Sequence, residues 1–203
     1  MKSLIALPAF VFLFSTMVHA EEGKAILHER ELPAVTSPGF KEPLDATWSI
    51  AKGTWTPDNG ILKAVELPDE KHVAVLHHKV GLESATIDCE FKMDGPDVFI
   101  IGCDGVQHVG RVVVTSGGLS IAEDSVKPSH TIATLKFPVK EGEWHRLHVE
   151  WQGDEMAARL DGQELRAKNP YLVSPKAQSW LAVAKTASVR ALSIRGVTAS
   201  VKP

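Results

Sequence analysis

The stretch Trp144–Arg166, WHRLHVEWQGDEMAARLDGQELR, alternates apolar and polar side chains on both sides of two turn signals. Two-residue turns at Gly153-Asp154 and Asp161-Gly162 divide it into three antiparallel strands. The apolar positions then share one face: Leu147, Val149, Trp151, Met156, Ala158, Leu160 and Leu165. The polar positions share the other face: Arg146, His148, Glu150, Arg159, Glu164 and Arg166. This pattern predicts an antiparallel sheet with one buried face.

The same turns also set the register of this sheet. Trp151 is expected opposite Met156, and Arg159 opposite Glu164, where the two opposite charges would form a favourable cross-strand pair.

Working outward from this stretch, β signals recur at short spacing throughout residues 46–198. Asn59-Gly60 and Gly117-Gly118 separate further short apolar runs, and no long amphipathic helix interrupts them. Some twelve short strands with tight turns are typical of two packed sheets. The predicted fold is therefore an all-β, two-sheet antiparallel β-sandwich.

The first 20 residues have the pattern of a secretory signal peptide. Lys2 is followed by the apolar run Leu4–Val18, and small residues precede a predicted cleavage between Ala20 and Glu21. The sequence thus predicts a signal peptide over 1–20, an N-terminal extension over 21–45 and the sandwich domain over 46–198. The mature protein is expected to be secreted or periplasmic.

Composition and charge narrow the range of partners. The 203 residues include 22 basic and 25 acidic side chains, a formal net charge of −3, so no basic surface for nucleic acid is expected. No later segment reaches the length of a membrane span, which predicts no membrane contact after signal cleavage.

The two cysteines, Cys89 and Cys103, flank the turn Asp94-Gly95-Pro96. If Met93 pairs with Phe99 in a hairpin, the two cysteines fall opposite each other, close enough for a disulfide. Two buried free thiols are the alternative, because unpaired cysteine is also commonly buried.

The same hairpin register brings acidic side chains together. It places Asp88 opposite Asp104, with Glu90 two residues along, and these three are the candidate catalytic residues for acid–base chemistry. Their oxygens would also suit Ca²⁺, although no cofactor is otherwise predicted and no metal site is assigned. The alternative is that Asp88 and Glu90 form a solvated strand face while Asp104 begins a turn.

The candidate substrate-binding residues are Arg111, Trp144 and His108. Arg111 lies on the strand after the presumed hairpin, and Trp144 falls on the polar face with Arg146 and His148. An indole ring there can stack on the apolar C–H patches of a sugar. No nucleophile elbow, phosphate-binding loop or zinc-protease motif is present.

Two stretches of the chain resemble the 3-keto-disaccharide hydrolase-like family, which consists of secreted jelly rolls of the concanavalin-like class. The first is Trp48–Trp55 followed by Asp58–Leu62. The second combines Gly142–His145, Leu160–Gly162 and Val189–Val197. The resemblance implies a concanavalin-like jelly roll that acts on or binds a glycoside.

The chain also departs from that family. Valine and glycine occupy parts of Asp97–Cys103 and Gln107–Val112, where the family carries polar site residues. Valine cannot supply the protic groups that glycoside hydrolysis needs. Two readings stay open, a hydrolase that uses the acidic trio and a module that binds a sugar without cleaving it. The alternative from another class is a laminin-G-like protein-interaction or structural sandwich.

Overall fold

The computed structural model describes residues 24–95 and 98–198; the predicted signal peptide lies outside them. Within those residues the chain forms fifteen strands and two short 3-10 helices, Pro68–Glu70 and Pro170–Val173. The strands form two sheets in which all described pairings are antiparallel. The predicted all-β, two-sheet sandwich is confirmed.

The eight-stranded sheet has the spatial order β13-β12-β11-β6-β15-β4-β3, with β1 added beside β15. Its strands are β1 (Ala34–Thr36), β3 (Thr54–Asp58), β4 (Ile61–Val65), β6 (Leu82–Met93), β11 (His145–Gln152), β12 (Glu155–Leu160), β13 (Gln163–Lys168) and β15 (Thr186–Thr198).

The seven-stranded sheet has the order β10-β9-β8-β7-β14-β5-β2. Its strands are β2 (Trp48–Lys52), β5 (Ala74–His78), β7 (Val98–Asp104), β8 (His108–Thr115), β9 (Gly118–Glu123), β10 (His130–Lys136) and β14 (Gln178–Val183).

The register predicted for Trp144–Arg166 is confirmed by strands β11, β12 and β13. Trp151 pairs with Met156, and Arg159 pairs with Glu164 across the next ladder. Arg159 Nη2 donates to Glu164 Oε2 at 2.9 Å. Six of the seven predicted inward side chains are buried, and Leu165 is half-buried against the core. Period-two alternation and the two turn signals were therefore sufficient to place these strands.

The hairpin predicted between β6 and β7 is wrong. Strand β6 pairs with β11 and β15, whereas β7 pairs with β8 and β14, so the chain crosses between the sheets after Met93. Phe91 and Phe99 instead meet face to face across the sandwich, with ring centroids 4.3 Å apart and planes 6° apart. Strands that face each other across the sandwich bury their apolar faces against one another. In a hairpin within one sheet, the apolar faces of both strands would point the same way and would need another sheet to cover them.

The cysteine pairing that rested on that hairpin is also wrong. Cys89 lies opposite Leu147 in the eight-stranded sheet, and Cys103 lies opposite Ser179 in the seven-stranded sheet. Both are buried free thiols. Burial raises the pKa of Cys103 to about 12 and raises that of Cys89 further, so both thiols stay protonated and unreactive.

Part of the N-terminal extension covers the outer face of the eight-stranded sheet. We call residues 24–32 the strap. The backbone N–H groups of Ile26 and Leu27 donate to the Glu150 carboxylate, at 2.8 and 2.5 Å, and the Lys24 carbonyl accepts from Arg159. His148, Glu150 and Arg159 do face outward, as the alternation predicts, yet the strap leaves them buried.

None of the helices among the described residues is long and apolar enough to cross a membrane.

The Phe91–Phe99 stack gives a direct test of the sandwich. Phe91→Ala should lower the free energy of unfolding by about 3–5 kcal/mol, because it leaves a cavity between the sheets. Urea unfolding followed by circular dichroism measures this. Tyr171→Ala is the control: its side chain is largely exposed, and its change should stay within roughly 0.5 kcal/mol. Equal effects of the two substitutions would contradict the packing described.

Candidate functional site

The outward face of the seven-stranded sheet contains a hollow of about 340 Å³, which we call the outer hollow. Strands β2, β5, β7, β8 and β14 contribute to it. Its floor is apolar: Val73, Val75, Ile100, Trp180 and Ala182, with Ala51 at one side. Its rim carries nitrogen-bearing side chains: Lys52, His72, His77, His108 and Arg111. An apolar floor with a few polar groups around it is the usual chemistry of a small-ligand site.

One row across the sheet builds the centre of the hollow. His77 pairs with Trp180, Trp180 with Gly102, and Gly102 with Arg111. Since neighbouring residues in such a row point to the same face, His77 and Arg111 flank the indole. The Trp180 ring lies over Gly102, where an added Cβ would approach ring atom Cζ2 to 2.2 Å. Glycine at this position makes the space that the indole occupies.

Asp104 fixes the indole and one side of the rim. Trp180 Nε1 donates to Asp104 Oδ1 at 2.6 Å, and His108 Nδ1 lies 2.7 Å from the same oxygen. Gln178 Nε2 approaches the other oxygen at 3.4 Å. His108 Nδ1 can donate to this oxygen in the tautomer that carries its proton there. Asp104 is buried and therefore orients Trp180 and His108 rather than presenting itself to solvent.

A second buried carboxylate orients Arg111. Arg111 Nη1 lies 3.1 Å from Asp124 Oδ2, and its Nη2 donates to the Ser129 hydroxyl at 3.2 Å. The same hydroxyl donates to Asp124. Asp124 is fully buried, whereas 30% of the Arg111 side chain is exposed to solvent. The pair fixes the guanidinium at the rim and leaves part of it open to a ligand.

His77 remains neutral near pH 7. Burial lowers its pKa, and this outweighs the opposing attraction of Asp104.

The structure divides the six predicted site residues between two surfaces. Asp104, His108 and Arg111 come together at the outer hollow. Asp88, Glu90 and Trp144 lie on the outer side of the other sheet. The predicted clustering of Asp88 and Glu90 with Asp104 is wrong, because it depended on pairing β6 with β7. The three carboxylates lie on two different sheets, so the geometric argument for a calcium ion shared by them no longer holds. Among the described residues, no three His, Cys, Asp or Glu side chains are grouped to hold a metal ion.

Glu90 and Trp144 belong to an ion-pair network. Arg190 Nε donates to Glu90 at 2.7 Å, and Arg146 lies 3.4 Å from the same carboxylate. The hydrogen bond from Arg190 lowers the pKa of Glu90. The Arg190 guanidinium also lies 4.0 Å from the Trp144 ring centroid, so one face of that indole is already in contact with protein.

Asp88 joins a different network beneath the strap. His148 Nδ1 lies 2.7 Å from Asp88 Oδ1, and its Nε2 lies 2.6 Å from Glu150 Oε1. Burial opposes the charge on His148, but hydrogen bonds to Asp88 and Glu150 raise its pKa to about 9. Burial likewise opposes the charge on Glu150, yet bonds from His148 and the strap amides lower its pKa to about 2. This network anchors the strap and borders a cleft of about 490 Å³.

Sequence reasoning missed Trp180, His77 and Lys52, which line the hollow, and Gly102, over which the Trp180 ring lies. Gly102 carried a usable signal, since a glycine inside the apolar run Phe99–Cys103 indicates a close approach. Trp180 and His77 carried none, because they join Gly102 only through the pairing of β14 with β5 and β7, which are distant in sequence.

Comparison with known proteins supports the architecture. No family model matches the chain, and no curated protein sequence matches it significantly. A solved structure of carbohydrate binding module CBM66 from Bacillus subtilis is 14% identical, with a TM-score of 0.60 over 74% of this chain and 96% of that one.

Two glucanases have the same fold. A prokaryotic β-1,3-1,4-glucanase (lichenase) from a mouse hindgut metagenome is 14% identical, with a TM-score of 0.58 over 79% of this chain and 98% of that one. A Bacillus licheniformis β-glucanase is 9% identical, with a TM-score of 0.60 over 80% and 97%. The chain thus has the concanavalin-like jelly-roll fold that the sequence resemblance implied.

Gly102→Ala should displace the Trp180 indole and break its hydrogen bond to Asp104. Overpacking of this kind costs about 1–3 kcal/mol of unfolding free energy. Urea unfolding measures the loss, and the altered surroundings of Trp180 should shift the tryptophan emission. Gly117→Ala is the matched control, since its nearest neighbour to an added Cβ is Thr115 Oγ1 at 3.7 Å. Equal behaviour of the two variants would contradict the placement of Trp180.

The His148 network makes stability depend on pH. A raised pKa means that the contribution is complete below the unfolded value near 6.5 and is lost as pH rises through about 9. Glu150 has a lowered pKa, so its contribution is complete above about 4.5 and is lost as pH falls towards 2. The two effects together place the maximum between pH 4.5 and 6.5.

The measurement is urea unfolding of the native protein and of His148→Gln at pH 6, 7.5 and 9.5. The stability difference between them should be on the order of 1–3 kcal/mol at pH 6 and should shrink by pH 9.5. His72→Gln, which changes an exposed histidine, is the control. A difference that grows with pH would contradict the assignment.

Proposed function

We propose that this jelly-roll protein binds a glycan in the outer hollow. The observation that carries the proposal is the pairing of an apolar floor, to which the largely buried Trp180 contributes, with a rim of nitrogen-bearing side chains. Sugar rings have apolar C–H faces and a perimeter of hydroxyl groups. The apolar floor can contact the C–H face of a sugar ring. The rim can bind the hydroxyl groups, because hydroxyl oxygens accept hydrogen bonds from lysine, arginine and histidine.

The floor is rigid, which favours binding. Trp180 is held by Gly102 beneath its ring and by Asp104 at its Nε1 atom. Arg111 is held by Asp124 and Ser129. A site whose side chains are already ordered loses less entropy when a ligand binds.

The geometry favours binding over cleavage. Canonical glycoside hydrolysis uses two carboxyl groups on either side of the scissile bond. The residues described as lining the hollow include neither Asp nor Glu, and Asp104 already accepts from Trp180 and His108. The resemblance to 3-keto-disaccharide hydrolases keeps hydrolysis as the second candidate, with the Asp104–His108 contact as the observation in its favour.

The non-carbohydrate alternative, a laminin-G-like interaction sandwich, would fit a protein in which Trp144 and Arg111 are buried against other elements and leave no cleft. Arg111 is partly exposed here, and it borders a cleft. This favours the glycan proposal.

Export is part of the proposal, because a glycan-binding module is useful where polysaccharides are met. It rests on the signal-peptide pattern of residues 1–20. Intact-mass measurement of the expressed protein tests it, since cleavage should leave Glu21 as the first residue; a mass that retains residues 1–20 would contradict it.

The test is a glycan-array screen followed by calorimetric titration of the glycans retained. Ala51→Trp should abolish binding, because Ala51 is an exposed residue that lines the hollow, and an indole there fills it. Thr56→Trp is the control, an equally exposed position on β3 of the other sheet. Absence of binding across the array, or equal loss in both variants, would overturn the proposal.

The same protein should be incubated with a 3-keto-disaccharide. Consumption that stops in Asp104→Asn but continues in Glu90→Gln would show that the hollow also cleaves its ligand. No consumption leaves binding as the function.

A further inference from the structure

We infer that the sugar bound in the outer hollow is anionic, bearing a carboxylate or a sulfate ester. The inference rests on the proposed glycan binding and adds the chemical class of the ligand. Its basis is the arrangement of charge around the hollow.

Every ionisable side chain described as lining the hollow is basic: Lys52, His72, His77, His108 and Arg111. The other lining residues are apolar. A site for a neutral sugar usually mixes donors with acceptors, because each hydroxyl group both donates and accepts. Lys52 and Arg111 supply only donors, which match a group that only accepts, whereas the neutral His77 ring can donate or accept.

The acidic side chains lie behind the rim and are already paired. Asp104 accepts from Trp180 and His108, and Asp124 lies against Arg111 and Ser129. Both are buried, so a ligand in the hollow meets the basic groups first. The carboxylates thus orient the donors instead of accepting from the ligand.

Arg111 has the geometry to recognise a planar anion. A guanidinium has five N–H donors in a fixed fork, and the described contacts of Arg111 involve its Nη1 and Nη2 atoms but not its Nε. Its remaining donors can form the paired hydrogen bonds that arginine makes with carboxylates and sulfates.

Lys52 adds a second positive charge at the rim. Within residues 24–95 and 98–198 no hydrogen-bond acceptor or ion-pair partner is seen for its Nζ atom. The Glu70 carboxylate accepts from the backbone N–H of Gly53, the residue that follows Lys52. Beside an apolar floor, attraction between charges is stronger than in open water, so Lys52 favours an anion over a neutral group.

The experiment compares ligands that differ only in charge. Trigalacturonate and its methyl ester share one backbone, and a 6-sulfated galactose trisaccharide and its unsulfated form make the second pair. Calorimetric titration should show the charged member of at least one pair binding about tenfold or more tightly, as expected for charge-assisted hydrogen bonds. Whichever pair shows the preference identifies the anion.

The variant Lys52→Gln should reduce this preference several-fold while leaving unfolding unchanged, because the described contacts of Lys52 involve its backbone, which pairs with Val75 and accepts from Trp55, and not its side chain. Lys136→Gln is the control: it is an exposed lysine on β10, at the far edge of the same sheet. The preference should also weaken between about 50 and 500 mM salt, because the Debye length shortens and the charges are screened more strongly.

The outcomes separate the two proposals. If neutral and charged ligands bind equally, and Ala51→Trp blocks both, the anionic inference is wrong and glycan binding stands. If Lys136→Gln lowers the preference as much as Lys52→Gln, the attraction belongs to the whole surface and the inference is wrong. If the hollow binds no member of either pair nor any glycan on the array, both proposals fail.

Discussion

The structure depends on the burial of one apolar face from each sheet against the other. The chain achieves this by crossing from β6 to β7 after Met93, so that Phe91 and Phe99 stack between the sheets. Because the inner faces form the core, the polar side chains that could bind a ligand lie on the two outer faces. The two outer faces then differ in how their buried polar groups are used.

On the eight-stranded sheet the outer polar groups are used for structure. Glu150 binds the strap and is itself hydrogen-bonded to His148, and Glu90 is held between Arg146 and Arg190. On the seven-stranded sheet the buried carboxylates Asp104 and Asp124 instead orient side chains that line an open hollow. Both faces use buried carboxylates that lie against neighbouring donor groups. Only the second leaves its donors beside an accessible cavity, which is why we place the function there.

The sequence was sufficient to predict those parts of the fold in which a strand pairs with the next strand along the chain. Alternation and two-residue turns gave the register of β11, β12 and β13, including the Arg159–Glu164 pair, because each strand is followed at once by its partner. The β6–β7 error came from applying the same rule to a connection that changes sheets. Asp104 and Arg111 were found as candidates, but the tryptophan between them was not. Trp180 reaches them from 76 residues beyond Asp104, and no local pattern encodes that distance.

The most direct test of the account observes the Trp180 indole during glycan binding. In a ¹⁵N-labelled sample its Nε1–H resonance can be assigned by its absence from Trp180→Phe, and the resonances of the other four tryptophans serve as internal references. Addition of a glycan retained on the array should shift the Trp180 resonance while those of Trp151 in the core and Trp144 on the other sheet stay in place. A shift confined to Trp144, with Trp180 unchanged at saturation, would contradict the placement of the site.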